Sequence, residues 1–355
     1  MPATTALRVL CWDDPRCTAP LRAAVRAYRS VQPDIALELA LRPLSAFNDQ
    51  PVEEAAAGCD LLVFDHPMVP RASARAALLP VEAIDPDAAL PDTVGATGRS
   101  YRWQGRTWGI AVDAACQVAA SRPDLLGEPA PATWEQVTAL ARRRPGSVAL
   151  PLAPADALCT LLSLSAATRA RSWFGPRGVE LLVELAELVD PACLRLNPPS
   201  LLSALADGGT WAYVPLTFGY SARADPVRWH DAPVVDGTPA TVLGGAGLGI
   251  SASSACPAQA LRFALWYASG AVQRDVVLAA NGQPAARAVW ESAGGFFAAT
   301  RRTMQRAFQR PQHPDWPELQ ERAAALLHAA LAAGVPAADI HGELADLDRK
   351  MSRTA

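Results

Sequence analysis

Four carboxylates and one histidine directly follow stretches that are typical of buried strands. They are Asp13, Asp14, Asp65, Asp113 and His66. A pair of carboxylates can act as acid and base in glycoside hydrolysis, and carboxylates can also accept hydrogen bonds from the hydroxyl groups of a bound ligand. Asp is equally common in turns and at helix caps. The pattern leaves catalysis, ligand contact and capping open.

Several aromatic residues also fall at or near the ends of predicted strands. They are Trp12, Trp211, Tyr213 and Phe218. A flat ring suits the apolar C–H face of a sugar, and ligand pockets are mostly apolar with a few placed polar groups. Packing in a core is the alternative for each ring. For Trp12 and Trp211 the sequence favours neither role over the other.

The stretch from Gly244 to Gly249 is rich in glycine and is similar to a dinucleotide-binding fingerprint. Its third glycine comes one residue early, and Ile250 continues a strand where the fingerprint needs a helix. A backbone that passes close to a ligand or to a neighbouring strand explains the glycines better. Gly244 and Gly245 are therefore binding candidates, and we expect no cofactor.

Several common sites are absent from the sequence. There is no phosphate loop ending in Gly-Lys-Ser/Thr, no Gly-x-Ser-x-Gly elbow and no Cys-x-x-Cys pair among the seven cysteines. The formal net charge of −3 argues against a nucleic-acid surface. We expect no metal and no nucleic-acid partner.

The order of apolar stretches predicts an α/β fold. Leu7–Cys11, Ala19–Val31 and Ile35–Leu41 read as strand, helix and strand, which is the unit of a parallel sheet. Asp60–Phe64 reads as the next strand. In open α/β sheets, ligands bind outside the carboxyl ends of strands, where the candidate side chains fall. The length of 355 residues favours two domains.

The next segment is predicted to be a hairpin, Tyr101–Val112, with its turn at Gln104 and Gly105. Asp113 is expected in a loop after the hairpin, and Gln117–Ser121 is expected to be a separate strand.

Further along the chain, Thr133 and Gln136 have the spacing of a capping box, which predicts the start of a helix. Trp211–Pro215 is predicted to be a strand, followed by a loop over Thr217–Tyr220.

Five segments of the chain carry a family resemblance through their order and spacing: Leu7–Ile35, Asp60–Glu82, Tyr101–Leu126, Pro131–Gln136 and Leu243–Tyr267. In this order they resemble the bacterial extracellular solute-binding proteins of family 1, which serve carbohydrate ABC transporters and have the type II periplasmic-binding fold. Pro131 to Gln136 is similar to the family's Pro-x-Thr-Trp-Asp-Glu, and Leu243 to Leu248 to its Gly-Gly-x-Gly-Leu stretch. Ala246 stands where the family often has tryptophan.

The resemblance implies two lobes, each a mixed sheet flanked by helices, with a ligand cleft between them. Lobe 1 would contain residues 1–112 plus 241–290, and lobe 2 residues 113–240 plus 291–355. The predicted ligand-binding residues are Trp12, Asp13, Asp65, His66, Asp113, Trp211, Tyr213, Phe218, Gly244 and Gly245.

The resemblance also implies a function. The protein would capture a small polar solute, such as a sugar or polyol, by hinge closure, and deliver it as a monomer to a membrane permease without catalysing a reaction. A cytoplasmic ligand sensor, or an enzyme that uses Asp65 or Asp113 with His66, is the alternative. The family location is periplasmic, but no signal peptide is visible, so the expectation is cytoplasmic if the chain is the full native one.

Overall fold

A computed structural model describes residues 5–222, 225–235, 237 and 239–352 of the chain. Its strands are β1 (Thr5–Trp12), β2 (Ile35–Arg42), β3 (Leu61–Phe64), β4 (Leu78–Leu79), β5 (Arg102–Trp103), β6 (Arg106–Thr107), β7 (Ile110–Ser121), β8 (Tyr213–Phe218), β9 (Arg228–His230) and β10 (Leu243–Ser251).

The α-helices are α1 (Pro15–Val31), α2 (Leu44–Asp49), α3 (Val52–Ala56), α4 (Val69–Ala74), α5 (Val81–Ile84), α6 (Pro123–Leu126), α7 (Trp134–Arg143), α8 (Pro154–Ala167), α9 (Pro176–Leu188), α10 (Pro198–Asp207), α11 (Pro257–Ala268), α12 (Gly270–Val272), α13 (Arg287–Ser292), α14 (Phe296–Arg306), α15 (Trp316–Ala333) and α16 (Ala337–Ser352). Short 3₁₀ turns cover His66–Met68, Arg99–Tyr101 and Pro191–Arg195, and a π-helical turn covers Gln273–Leu278. Within the described residues, no helix is both long enough and apolar enough to cross a membrane.

The chain divides into two compact units. Unit 1 contains Met1–Ala115, Gly244–Ala293 and Gln309–Pro314, and unit 2 contains Cys116–Leu243, Gly294–Phe308 and Asp315–Ala355. The division predicted from the sequence placed residues 309–314 with the rest of 291–355. In the structure this short segment belongs to unit 1, where Arg310 forms an ion pair with Asp65.

The sheet of unit 1 follows the predicted strand–helix–strand opening. β1 pairs in parallel with β2 and β3, and β10 runs antiparallel beside β3. Leu7 and Val9 are fully buried on one face of β1, and α1 packs against β1 and β2. Helix α1 begins at Pro15, four residues earlier than predicted, because Asp14 caps it by accepting from the Arg16 N–H.

Strand β7 differs from the prediction. It is one continuous strand in which all twelve residues are buried, so Asp113 lies inside a strand and not in a loop. Gln117–Ser121 is the second half of this strand and not a separate one. The segment contains no glycine, proline or asparagine that would break the strand.

The glycine-rich stretch forms strand β10, and one of its glycines is required by the backbone of β7. Gly245 has φ +110, and a Cβ there would lie 2.3 Å from the carbonyl oxygen of Asp113. No side chain fits at that distance. This contact is the close approach to a neighbouring strand that the glycines suggested.

Unit 2 is built around the second half of β7. β8 and β9 both pair antiparallel with it, while α8 packs against α9 and α15. β8 continues to Phe218, so the predicted loop from Thr217 is wrong for its first two residues. The hydroxyl of Ser163 in α8 accepts from the Val242 N–H and donates to the side chain of Gln117.

The predicted capping box at the start of α7 is confirmed. The hydroxyl of Thr133 accepts from the Gln136 N–H at 3.3 Å, and the Gln136 side chain accepts from the Thr133 N–H at 3.3 Å. Two backbone donors that the helix cannot satisfy internally are thereby paired.

We expect Thr133→Ala to lower the free energy of unfolding by about 1 kcal/mol, the usual loss for an N-cap. The matched control is Thr138→Ala in the same helix, whose hydroxyl bonds only to the Glu135 carbonyl oxygen and whose replacement favours helix. Urea unfolding at 25 °C measures both. Equal losses for the two variants would contradict the capping role.

We expect Gly245→Ala to destabilise the protein by at least about 2 kcal/mol, because the new Cβ meets the Asp113 carbonyl oxygen in a backbone conformation that alanine rarely adopts. Gly270→Ala is the control, since a Cβ at Gly270 has nothing within 4 Å. The comparison is again made by urea unfolding. A Gly245→Ala protein as stable as the control would show that the backbones separate easily.

Candidate functional site

Three strand ends of unit 1 bring most of its predicted site residues to one edge of the sheet. Trp12 ends β1, Asp65 follows the end of the parallel neighbour β3, and Gly247 of β10 pairs with Phe64. Asp113 lies in β7, which is the next strand after β10. The carboxyl-terminal edge of the parallel strands is therefore the candidate site of this unit.

Asp113 is held in a buried ion pair with Arg16 from the first turn of α1. Arg16 Nε donates to Asp113 Oδ2 at 3.0 Å, and Arg16 Nη2 contacts the other carboxylate oxygen. Burial raises the pKa of Asp113, while the Arg16 charge and hydrogen bonds oppose that rise. The two-point contact fixes the carboxylate plane and links the start of α1 to β7.

Asp65 lies in a second such pair, with Arg310. Its carboxylate contacts the Arg310 guanidinium, and Oδ1 accepts from the His66 N–H at 2.8 Å and lies 3.1 Å from His66 Nδ1. Burial alone would raise the pKa of Asp65, but Arg310 and His66 together lower it to about 2. Asp65 is therefore ionised at neutral pH.

His66 is only 1% exposed, and both of its ring nitrogens have partners. Nε2 accepts from the Arg310 N–H at 3.2 Å, so the ring proton lies on Nδ1 and faces Asp65. Burial lowers the pKa of His66 against the opposing charge of Asp65. A neutral ring engaged on both sides supports the backbone of Arg310 and is poorly placed to transfer a proton to a ligand.

Trp12 and Asp13 complete this edge in different ways. Trp12 is 5% exposed, and its ring centroid lies 4.7 Å from that of Phe47. Asp13 is exposed, and its N–H donates to the Arg42 carbonyl oxygen at 2.8 Å. Asp13 is thus the candidate carboxylate most open to solvent, while Trp12 presents little of its surface.

A small cavity in unit 1 lies beside the Arg16–Asp113 pair. Its lining includes Trp12, Ala246, Tyr267 and Gln283, and it offers about 20 Å³ to the centres of water-sized molecules. That volume holds about one water and is much too small for a sugar ring. A larger ligand would contact this edge of unit 1 from outside the cavity.

The predicted aromatic residues of unit 2 are placed differently from one another. Tyr213 is fully buried in β8, and its hydroxyl donates to the Pro131 carbonyl oxygen at 2.8 Å. A fully buried side chain cannot contact a ligand at the surface, so Tyr213 supports the site from within the core. Trp211 and Phe218, at the two ends of the same segment, are each partly exposed.

Unit 2 also contains candidates that the sequence reasoning missed. The rings of Trp173 and Phe308 stack with centroids 6.3 Å apart and planes at 30°, and both are partly exposed. Trp173 lies in a loop just before Gly175, and an aromatic residue in a loop is the same criterion that selected Trp211, so the sequence could have identified Trp173 as a candidate. Phe308 carries no such signal, because its position depends on backbone hydrogen bonds to Thr241 and Leu243.

Asp156 in the first turn of α8 was also missed. It is partly buried, and burial raises its pKa to about 8. Within the described part of the chain, its side chain has no hydrogen bond or ion pair. A carboxyl group at a helix N-terminus without a side-chain partner is available to bind a ligand hydroxyl.

No group of three or more His, Cys, Asp and Glu side chains that could hold a metal ion occurs in the ranges that the structure describes. The two carboxylates of unit 1 are instead paired with arginines. The carboxylates and guanidinium groups of these two pairs are held in fixed orientations as hydrogen-bond acceptors and donors.

Comparisons with known proteins agree with this architecture. The profile of the family "bacterial extracellular solute-binding protein" matches residues 48–295, which is well over half of the chain. A comparison with curated protein sequences found no match.

Three solved structures are similar over nearly their whole length. Maltose-bound MalE3 of T. maritima is 15% identical, covers 99% of this chain and 100% of its own, and gives a TM-score of 0.80. An ABC transporter solute-binding protein of Thermotoga lettingae with bound α-D-tagatose is 17% identical, with 97% and 99% covered and a TM-score of 0.81. One from Agrobacterium radiobacter in complex with ribitol is 17% identical, with 99% of both chains covered and a TM-score of 0.79.

At these identities the structural likeness shows the fold, and the sequence profile shows the family. The chain has the two-lobe α/β fold of sugar-binding solute receptors, and it belongs to the bacterial extracellular solute-binding proteins.

Proposed function

We propose that this solute-binding protein captures a neutral polyhydroxylated solute, a sugar or a polyol, and delivers it to the permease of an ABC transporter. The observation that carries the proposal is the edge of unit 1, where the buried carboxylate of Asp113 and the partly buried carboxylate of Asp65 are each compensated by an arginine, and where Trp12 lies beside the Arg16–Asp113 pair.

Charge compensation favours an uncharged ligand. The Arg16–Asp113 and Arg310–Asp65 pairs are each neutral, and His66 has a lowered pKa, so these groups add little net charge to an edge whose exposed carboxylate is Asp13. The exposed carboxylate of Asp13 at this edge can accept hydrogen bonds from hydroxyl groups. Fixed, neutral ion pairs therefore suit hydroxyl groups better than they suit charged solutes.

Each unit also carries exposed groups of its own that suit a sugar. Unit 1 has the exposed carboxylate of Asp13, and unit 2 has the partly exposed rings of Trp211, Phe218 and the Trp173–Phe308 stack. Aromatic faces contact the C–H surfaces of a sugar. The family resemblance implies that the protein closes on its ligand by a hinge motion of two lobes. It also implies a periplasmic location, and we propose both for this chain.

The relatives support the same class of ligand. The similar structures contain maltose, α-D-tagatose and ribitol, two sugars and one polyol. All are small, neutral and rich in hydroxyl groups.

We propose that the chain does not catalyse a reaction on its ligand. The enzyme alternative needed His66 as a base with Asp65 or Asp113 nearby. His66 is buried with both nitrogens engaged, and both carboxylates are bound by arginines. These contacts support a binding role for the edge of unit 1.

The test of the proposed function is a thermal-shift screen of the purified protein against maltose, tagatose, ribitol and mannitol, with citrate and leucine as non-sugar controls. A ligand present at 100 times its dissociation constant stabilises the folded state by about 2.7 kcal/mol. We expect at least one sugar or polyol to raise the melting temperature. Stabilisation by citrate or leucine alone would contradict the proposed class.

For the ligand found in that screen, we expect Asp13→Ala to weaken binding by about tenfold or more, because a hydrogen bond to a charged group is lost. The matched control is Asp34→Ala. Asp34 is also an exposed aspartate of unit 1, but it precedes β2 and so lies at the opposite end of the parallel strands. Titration calorimetry measures both affinities, and equal affinities would remove Asp13 from the site.

A further inference from the structure

Two buried cysteines lie on either side of the turn that joins β1 to α1. Cys11 follows Leu7 and Val9 at alternate positions of β1, and all three are fully buried on the same face of the strand. It is therefore the last residue that β1 directs into this face before the turn.

Cys17 is the corresponding residue of the helix. It is 5% exposed and precedes Leu21 and Ala24 on the buried face of α1, with the four- and seven-residue spacing of one helical face. Cys11 and Cys17 belong to the same packed core cluster. Cys11 is the last residue of the Leu7–Val9–Cys11 face of β1, and Cys17 is the first residue of the Cys17–Leu21–Ala24 face of α1.

The turn between them is short and well hydrogen-bonded. The Asp14 N–H donates to the Trp12 carbonyl oxygen at 3.1 Å, and the Cys17 N–H donates to the Asp14 carbonyl oxygen at 2.9 Å. These contacts hold the end of the strand and the first turn of the helix close together.

The two side chains lie near enough to each other to shift each other's pKa. A hydrogen bond with Cys17 is the largest cause of the lowered pKa of Cys11. Burial raises the pKa of Cys17, and Cys11 adds to that rise. Both cysteines are free thiols in the structure.

We propose that Cys11 and Cys17 form an intramolecular disulfide that closes the β1–α1 turn. Each thiol gives up its proton, the two sulfurs form one S–S bond, and two electrons pass to a disulfide oxidant, whose own S–S bond becomes two thiols. Since the folded thiols are buried, the bond forms during folding. The family is extracellular, and disulfides persist outside the reducing cytoplasm.

The disulfide would stabilise the turn that carries Trp12, Asp13 and Arg16. In the unfolded chain the link restricts the turn, and in the folded protein it holds the segment in place before any ligand arrives. This inference does not depend on the identity of the ligand.

Arg16 lies between the two cysteines and makes the bond easy to detect. Trypsin cleaves after Arg8, Arg16 and Arg22, so Cys11 and Cys17 fall in separate peptides, Val9–Arg16 and Cys17–Arg22. The protein is refolded from urea in a mixture of oxidised and reduced glutathione, its remaining thiols are blocked with iodoacetamide in denaturant, and it is then digested. We expect the two peptides to be linked, and the intact protein to carry five blocked cysteines of the seven.

The controls separate this pair from the other cysteines. Cys193→Ser removes a fully buried cysteine of unit 2 and should leave the link intact, whereas Cys17→Ser should abolish it. The linked protein should melt about 5 °C above its reduced form. Seven blocked cysteines, or a link from Cys11 to any other cysteine, would overturn the proposal, and equal melting temperatures would overturn the stabilising role.

Discussion

Compensation of buried charge is the constraint on which the candidate site of unit 1 depends. Removing an ion from water costs several kcal/mol, and a buried carboxylate is tolerated only when a partner and further hydrogen bonds offset that cost. Asp113 and Asp65 meet the requirement through Arg16 and Arg310. Each pair also joins elements that are distant in sequence, so the same contacts that stabilise the charges position the site.

The consequences differ for the two pairs. Arg16 links the first turn of α1 to β7, and this places the Trp12–Arg16 turn beside Asp113. Arg310 attaches the segment Gln309–Pro314 to the end of β3 and lowers the pKa of Asp65, while its N–H determines the tautomer of His66. A surface of this kind is preorganised, because its hydrogen-bonding groups are oriented before a ligand arrives. That property suits the binding of neutral hydroxyl groups.

The parts of the fold that could be predicted from the sequence are those governed by local pattern. A short apolar run predicted β1, alternating apolar residues predicted β2, and the spacing of Thr133 and Gln136 predicted the capping box of α7. Asp113 was misplaced because a loop was inferred after the hairpin, although the segment has no turn residue and continues as a strand.

The pairing partners could not be predicted, because they arise from tertiary contacts. Arg16 and Asp113 are 97 residues apart, and Arg310 and Asp65 are 245 residues apart. In the sequence, Tyr213 and Trp211 are both aromatic residues near the start of the same predicted strand. In the structure, Tyr213 is fully buried, and its hydroxyl donates a hydrogen bond to the Pro131 carbonyl oxygen. Sequence reasoning therefore located the ends of β1 and β3 but misplaced those of β7 and β8, and it did not separate the side chains that support the site from those that face solvent.

A double-mutant cycle on Arg16 and Asp113 tests the compensation of buried charge most directly. The free energy of unfolding is measured for Arg16→Met, for Asp113→Asn and for the double variant. If the pair compensates a buried charge, Arg16→Met loses about 3–5 kcal/mol, and the double variant loses at least about 2 kcal/mol less than the sum of the two single losses. Losses that add to within about 0.5 kcal/mol would show that the two groups do not depend on each other.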